Sequence, residues 1–187
     1  MKRIFFVFTV LLSLTASFAF AQDEKKQKPQ VPDTFPYMRD PNLPSFDILQ
    51  LDSATVFNSL SIPEGQPFVL FFFGAECGHC EQAFETLQKG WDSLEHADFY
   101  MMSFSPVYQI KEFAKKYHLD QHRNIKLVGM DQKMFFTSFY GVRAVPFIAV
   151  YDKDRRLVKS WNTHVSVKDL WDELHKKSPY KVKKHKN

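Results

Sequence analysis

The run Phe68-Val69-Leu70-Phe71-Phe72-Phe73, followed after three residues by Cys77-Gly78-His79-Cys80, constrains this chain more than any other segment. Six apolar residues without polar alternation predict a strand buried on both faces, as happens when helices cover both sides of a sheet. Beyond Cys80, Phe84, Leu87, Trp91 and Leu94 recur at three- and four-residue spacing and predict one apolar stripe on a helix. The chain's two cysteines therefore fall where a buried strand hands over to a helix. A helix N-terminus offers unpaired N–H groups and a partial positive charge, which favour thiolate over thiol. The thiolate is the nucleophile in disulfide exchange. A second cysteine one helical turn on can then close a ring and release a mixed disulfide.

The ends of the chain suggest export. Lys2 and Arg3 precede an apolar stretch from Ile4 to Leu14, and Ala19-Phe20-Ala21 has the small-x-small form of a signal peptidase site. The expectation is a signal peptide over residues 1–21 with Gln22 as the mature start, and a periplasmic or secreted protein. The alternative is an uncleaved inner-membrane anchor, although the stretch is short against the roughly 20 residues a span needs. Export makes structural disulfides the common use of cysteine. A bond between Cys77 and Cys80, however, closes a tiny loop and constrains little of the unfolded chain. Function explains the pair better than stapling does.

Charge narrows the partners. Of 25 basic residues, two lie in the leader and four (Lys181, Lys183, Lys184, Lys186) in the last seven positions, so against 21 acids the body is slightly acidic. Nothing beyond that tail supports nucleic-acid binding. Residues 178–187 read as a basic, disordered, solvated tail, with contact to anionic lipid heads as the alternative. Residues 22–44, polar and dotted with prolines, read as a flexible linker.

A single domain is expected over residues 45–177. Phe46, Ile48 and Leu51 fit a short strand and Thr55 to Phe57 a second. After the first helix come a strand over Asp98 to Phe104, a helix opened by Pro106, a strand over Ile125 to Met130, and a helix over Gln132 to Tyr140 ended by Gly141. Val145 to Tyr151 is a strand entered through Pro146, and Asp152 to Arg155 turns it into a strand over Arg156 to Trp161. Ser166 caps a last helix with Val167, Leu170, Trp171 and Leu174 facing inward. Strand–helix alternation followed by a hairpin and a helix describes an α/β fold around a mixed sheet.

That order, with C-x-x-C closing the first long strand and Val-Pro entering a later one, resembles the thioredoxin-like superfamily. The Gly78-His79 dipeptide is the one of protein disulfide isomerases. The leading hairpin, Phe-Phe-Gly-Ala before the motif and Val-Pro-Phe-Ile-Ala-Val-Tyr-Asp-Lys-Asp near the end look like exported TlpA-like thiol-disulfide oxidoreductases. The resemblance implies a thioredoxin-like fold, a central mixed sheet flanked by helices on both faces with an N-terminal β-hairpin extension. It implies Cys77 as the attacking and Cys80 as the resolving cysteine, with Pro146 as the proline that is cis beside the dithiol. The Val145 backbone is then free to pair with an extended substrate. No cofactor is implied beyond the redox-active Cys77–Cys80 disulfide. The implied partners are cysteine-containing exported proteins, c-type cytochrome precursors among them, and a membrane thiol reductase or oxidase.

The chain departs from its relatives at three positions. Glu76 stands where Trp usually precedes the first cysteine, Phe71 replaces a buried acid, and Ala83 replaces a glutamate three residues past the second cysteine. The proton acceptor for Cys80 is therefore open among Glu76, Glu81 and Glu85. His79 beside the attacking sulfur stabilises its thiolate and Glu76 opposes it, so Glu76 is expected to tune the site. Gly74, Ala75, Val145 and the dithiol are expected to form a shallow groove for an extended peptide, with no aromatic or charged cluster in it. Other readings remain: a metal (copper) binding or chaperone protein using Cys77, His79 and Cys80, a non-catalytic interaction domain, or a thiol peroxidase. Structural zinc usually takes a second pair of ligands, which this sequence lacks. Gly74-Ala75-Glu76 does not supply the usual peroxidatic setting.

Overall fold

The computed structural model describes residues 35–180. The expected signal peptide, most of the linker and the basic end of the tail lie outside them. The order of elements is α1 (Pro36–Arg39), β1 (Asp47–Gln50), β2 (Val56–Asn58), β3 (Phe68–Phe73), α2 (Gly78–Gln88), β4 (Asp98–Ser103) and α3 (Val107–Lys116). There follow β5 (Ile125–Met130), α4 (Phe135–Phe139), β6 (Phe147–Tyr151), β7 (Leu157–Asn162) and α5 (Val167–His175). The strands form one mixed sheet in the order β2-β1-β5-β4-β3-β6-β7. Strand β3 runs parallel to β4 and antiparallel to β6, and β4 runs parallel to β5. This is the expected thioredoxin-like α/β fold, with β1 and β2 as a leading hairpin added beside β5.

All six side chains of β3 are buried, and they divide by parity. Val69, Phe71 and Phe73 join a core built with Phe84 and Leu87 of α2, Ile110 and Phe113 of α3, and Leu170 and Leu174 of α5. Phe68, Leu70 and Phe72 join the opposite core with Phe46, Ile48, Phe136 and Tyr140. Successive strand residues point to opposite faces, so an apolar run is what a doubly covered strand requires. Burying such a side chain contributes about 1.5–3 kcal/mol.

Several expectations change in three dimensions. The stripe from Phe84 to Leu94 is not one helix: α2 stops at Gln88, and Trp91 and Leu94 lie on a separate 3-10 turn, both buried. Gly90 lies in that break, and the space there admits only glycine: a Cβ would sit 2.6 Å from Val167 Cγ1 on α5. Trp171 does not face inward; it is 41% exposed and stacks on His175, while Leu170 and Leu174 take the core positions. The helix expected from Gln132 begins only at Phe135.

Both domain boundaries move outward. Residues 41–43 are not linker: Leu43 N–H donates to Arg155 O at 2.8 Å, Leu157 N–H donates to Pro41 O at 2.7 Å, and Leu43 is buried. Its backbone bonds and apolar side chain hold this segment beside β7. At the other end, Ser178 Oγ donates to Asp152 Oδ2, and Tyr180 OH donates to Leu157 O at 2.8 Å. Asp152 is buried and paired with Arg156 at 3.3 Å, so the start of the expected tail completes a polar network.

Candidate active site

The β3–α2 junction presents its two cysteines unequally. Cys77 is the N-cap of α2, and its Sγ accepts the Cys80 N–H at 3.3 Å. It is half-buried, whereas Cys80 is wholly buried. Both are free thiols in this structure. An N-cap side chain takes a hydrogen bond from the first helical turn, which here places an N–H donor on the reactive sulfur. The Cys80 Sγ in turn accepts the Gly74 N–H at 3.4 Å. Burial pushes the Cys80 thiol well above the ordinary thiol range, with further upward pushes from its hydrogen bond to Cys77 and the charges of Cys77 and Glu81. The outer sulfur can therefore meet another molecule, while the inner one keeps its proton. This asymmetry is what a two-step exchange requires.

The loop behind Cys77 is gripped by the turn that leaves β4. Ala75 N–H donates to Ser105 Oγ at 2.9 Å, and Ser105 N–H donates to Ser103 Oγ at 3.1 Å. Cys77 N–H closes the loop on Gly74 O at 3.2 Å. On the opposite side, Cys77 Sγ lies 3.8 Å from Val145 O, and the Val145–Pro146 peptide is cis. Pro146 O accepts the Thr163 N–H, tying this strand entry to the end of β7.

The sequence-derived site residues thus divide into groups. Cys77, Cys80 and Val145 are brought together, with Pro146 adjoining them. Glu76 immediately precedes the motif and His79 lies between its two cysteines, and both are exposed. Gly74 and Ala75 are buried, contrary to the expectation that they line an open approach for substrate. Their smallness serves internal packing: a Cβ on Gly74 would meet Phe104 Cζ at 3.0 Å and Cys77 Cβ at 3.2 Å. The same contact shows an aromatic ring at the dithiol, where the sequence suggested none. Phe104 and Ser105 were missed because they lie far along the chain from Cys77 and carry no motif.

Of the three candidate acceptors, Glu81 is the carboxylate whose charge acts on Cys80. Its Oε1 also accepts Lys116 Nζ at 2.7 Å, which couples α2 to α3. Glu85 instead accepts the Tyr117 hydroxyl at 3.1 Å. Phe71, at the position of the missing acid, packs edge-on against Phe84 and leaves no carboxylate beneath the dithiol. Among the described residues, no three His, Cys, Asp or Glu side chains are grouped to hold a metal ion. No helix among them is long and apolar enough to cross a membrane.

A mixed sheet carrying a half-exposed cysteine at a helix N-cap and a buried partner one turn on defines the thioredoxin-like oxidoreductases. Within that class the chain belongs to the AhpC/TSA family, whose sequence profile matches residues 39–170. No curated protein sequence matches it significantly. Several solved structures share its fold. A secreted Mycobacterium tuberculosis disulfide oxidoreductase, homologous to E. coli DsbE, is 21% identical with a TM-score of 0.56, covering 69% of this chain and 93% of that one. A thiol:disulfide interchange protein of the thioredoxin family from Chlorobium tepidum is 21% identical with a TM-score of 0.57, covering 73% and 94%. An exposed lipoprotein thioredoxin of Streptococcus pneumoniae is 21% identical with a TM-score of 0.52, covering 70% and 98%. At such identities the likeness is one of fold.

Proposed function

We propose that this protein is an exported thiol–disulfide oxidoreductase that exchanges disulfides with protein substrates through a mixed disulfide on Cys77, resolved by Cys80. The observation that carries the reading is the unequal pair itself: a half-exposed Cys77 capping α2 and a buried Cys80 whose N–H it accepts. In the reducing direction, the Cys77 thiolate attacks one sulfur of a substrate disulfide. A Cys77–substrate bond forms and the substrate's other sulfur leaves as thiolate. Cys80, having lost its proton, then attacks Cys77 Sγ and expels the second substrate thiolate. The substrate gains two electrons and the protein is left with a Cys77–Cys80 disulfide; the oxidising direction is the reverse.

The electrostatics support this order. Burial holds the Cys80 proton in place before substrate arrives, helped by the hydrogen bond and charge of Cys77. Capping Cys77 as a mixed disulfide removes its charge, so Cys80 becomes easier to ionise once it is needed. The Gly74 N–H remains to stabilise its thiolate.

The partners of this reading are cysteine-bearing exported proteins, with a membrane thiol reductase or oxidase restoring the dithiol or disulfide. Cleavage before Gln22 is checked by the mass of the protein recovered from the exported fraction. The chemistry is tested by trapping. Cys80→Ser should accumulate covalent, reductant-sensitive adducts with exported proteins, and Cys77→Ser should not. Equal trapping by both variants, or by neither, would sink the assignment of roles.

A further inference from the structure

Phe104 follows the last residue of β4 and lays its ring across Gly74. The ring tip and Cys77 Cβ flank one point, 3.0 and 3.2 Å from where a Gly74 Cβ would stand. Phe104 is 40% exposed as a residue. Its inner side meets Phe72 at 5.8 Å between centroids, and Phe72 is itself stacked on Phe136 at 4.7 Å. Phe104 is thus an exposed aromatic surface fixed from below, beside a half-exposed thiol. Val145 O bounds the thiol from another element, 3.8 Å from Sγ. Exposed Tyr108 and Met134 follow the C-terminal ends of the parallel strands β4 and β5, at the same end of the sheet.

We infer that Phe104 is a specificity-determining contact, selecting cysteine-bearing polypeptides that carry an aromatic side chain two positions from the reacting cysteine. The inference rests on the exchange reaction proposed above, because that reaction dictates the occupant. A mixed disulfide holds the two Cβ atoms about 3.5–4.5 Å apart. The substrate backbone is therefore tethered next to Cys77, within reach of the ring. In an extended segment, residues two apart face the same side and stand about 6.6–6.8 Å from each other. The side chain at that spacing turns toward this protein whenever the cysteine does. An aromatic side chain landing on Phe104 gains ring–ring attraction beyond its apolar burial. Because Phe72 already holds the receiving ring, little side-chain freedom is lost on contact.

Single-turnover reduction by the full protein, with its dithiol reduced beforehand, reads the preference directly. The probes are five-residue peptides with a central cysteine, linked in pairs by a disulfide, with either phenylalanine or serine at both ends. Each turnover converts one peptide disulfide to two peptide thiols and the Cys77–Cys80 dithiol to its disulfide. The phenylalanine peptide should react about tenfold faster than the serine peptide. Phe104→Ala should bring the two rates close together. Phe104→Leu keeps apolar cover over Phe72 and should shrink the ratio without abolishing it, which guards against an unstable alanine variant. Equal rates in the native protein, or an undiminished ratio in the substituted proteins, would overturn the inference while leaving exchange intact. Failure of both peptides to react would overturn the exchange reading, and this inference with it.

Discussion

Cys80 and Cys77 are the same side chain, three positions apart, and their surroundings, burial above all, give them different chemistry. The inner thiol is pushed up first by desolvation and then by its neighbour. The outer one is half-exposed and receives a backbone donor. Glu76 and His79 are both exposed, so any interaction they make with the dithiol is screened by solvent. We propose that Glu76 tunes the pair: a carboxylate beside a dithiol repels the negative charge of its reduced, ionised form, whereas a neighbouring imidazole can donate a hydrogen bond to it. The reduction potential is expected between those of thioredoxin at about −270 mV and protein disulfide isomerase at about −180 mV. Glu76→Gln should move it upward, as read by equilibrium titration against glutathione. A potential well below thioredoxin's, or a downward shift in the variant, would refute the balance of charges described here. The motif and its spacing were legible in the sequence. The burial of Gly74 and Ala75 was not, since the Phe104 ring and the Ser105 hydroxyl that meet them come from the turn after β4.

Among the elements, the leading hairpin is joined to the sheet through a single tight approach. Strand β1 pairs antiparallel with β5 over only Leu49–Met130 and Gln50–Gly129. A Cβ on Gly129 would stand 2.5 Å from the Leu49 backbone oxygen and 2.6 Å from Ile48 Cγ2. Glycine is required there by the closeness of two backbones. Gly129→Ala must push β1 outward and should cost about 1–3 kcal/mol, the usual range for overpacking. The check is the urea unfolding midpoint, with amide exchange at Ile48 and Leu49 showing whether the loss is local. An unchanged midpoint with unchanged protection would mean that the hairpin absorbs the methyl freely. Element type was readable from periodicity throughout β3 to β6. Helix ends were less so, because apolar spacing continues past Gln88 while the backbone does not. Just past that end, Gly90 runs so close to Val167 of α5 that a side chain there would collide with it, a contact between residues far apart in sequence.

For the molecule as a whole, the buried phenols are expected to weaken it in alkali. Tyr140 and Tyr151 share a hydrogen bond of 2.5 Å between their hydroxyls inside the core. Burial, before any other cause, raises both above the ordinary phenol range, and it raises Tyr100 to about 12. Folded values above the unfolded value of about 10 mean that this contribution to stability is fully present below pH ~10. It is lost as pH rises from there through the folded values, because only the unfolded chain can ionise freely. Replacing Tyr140 and Tyr151 together with Phe should shift the alkaline unfolding midpoint to higher pH, followed by circular dichroism. A midpoint that stays put would place the alkaline weakness elsewhere. By itself the sequence determined the α/β class, the strand buried on both faces, the strand-to-helix junction and the dithiol upon it. These follow from local apolar periodicity and from residues adjacent in the chain. Only the tertiary structure decided that residues 41–43 and Ser178 to Tyr180 belong to the body, that Ser105 holds the Cys77 loop, and that Phe104 lies over Gly74 beside Cys77. Each of those is a contact between distant segments, and the sheet order that creates it leaves no periodic trace in the chain.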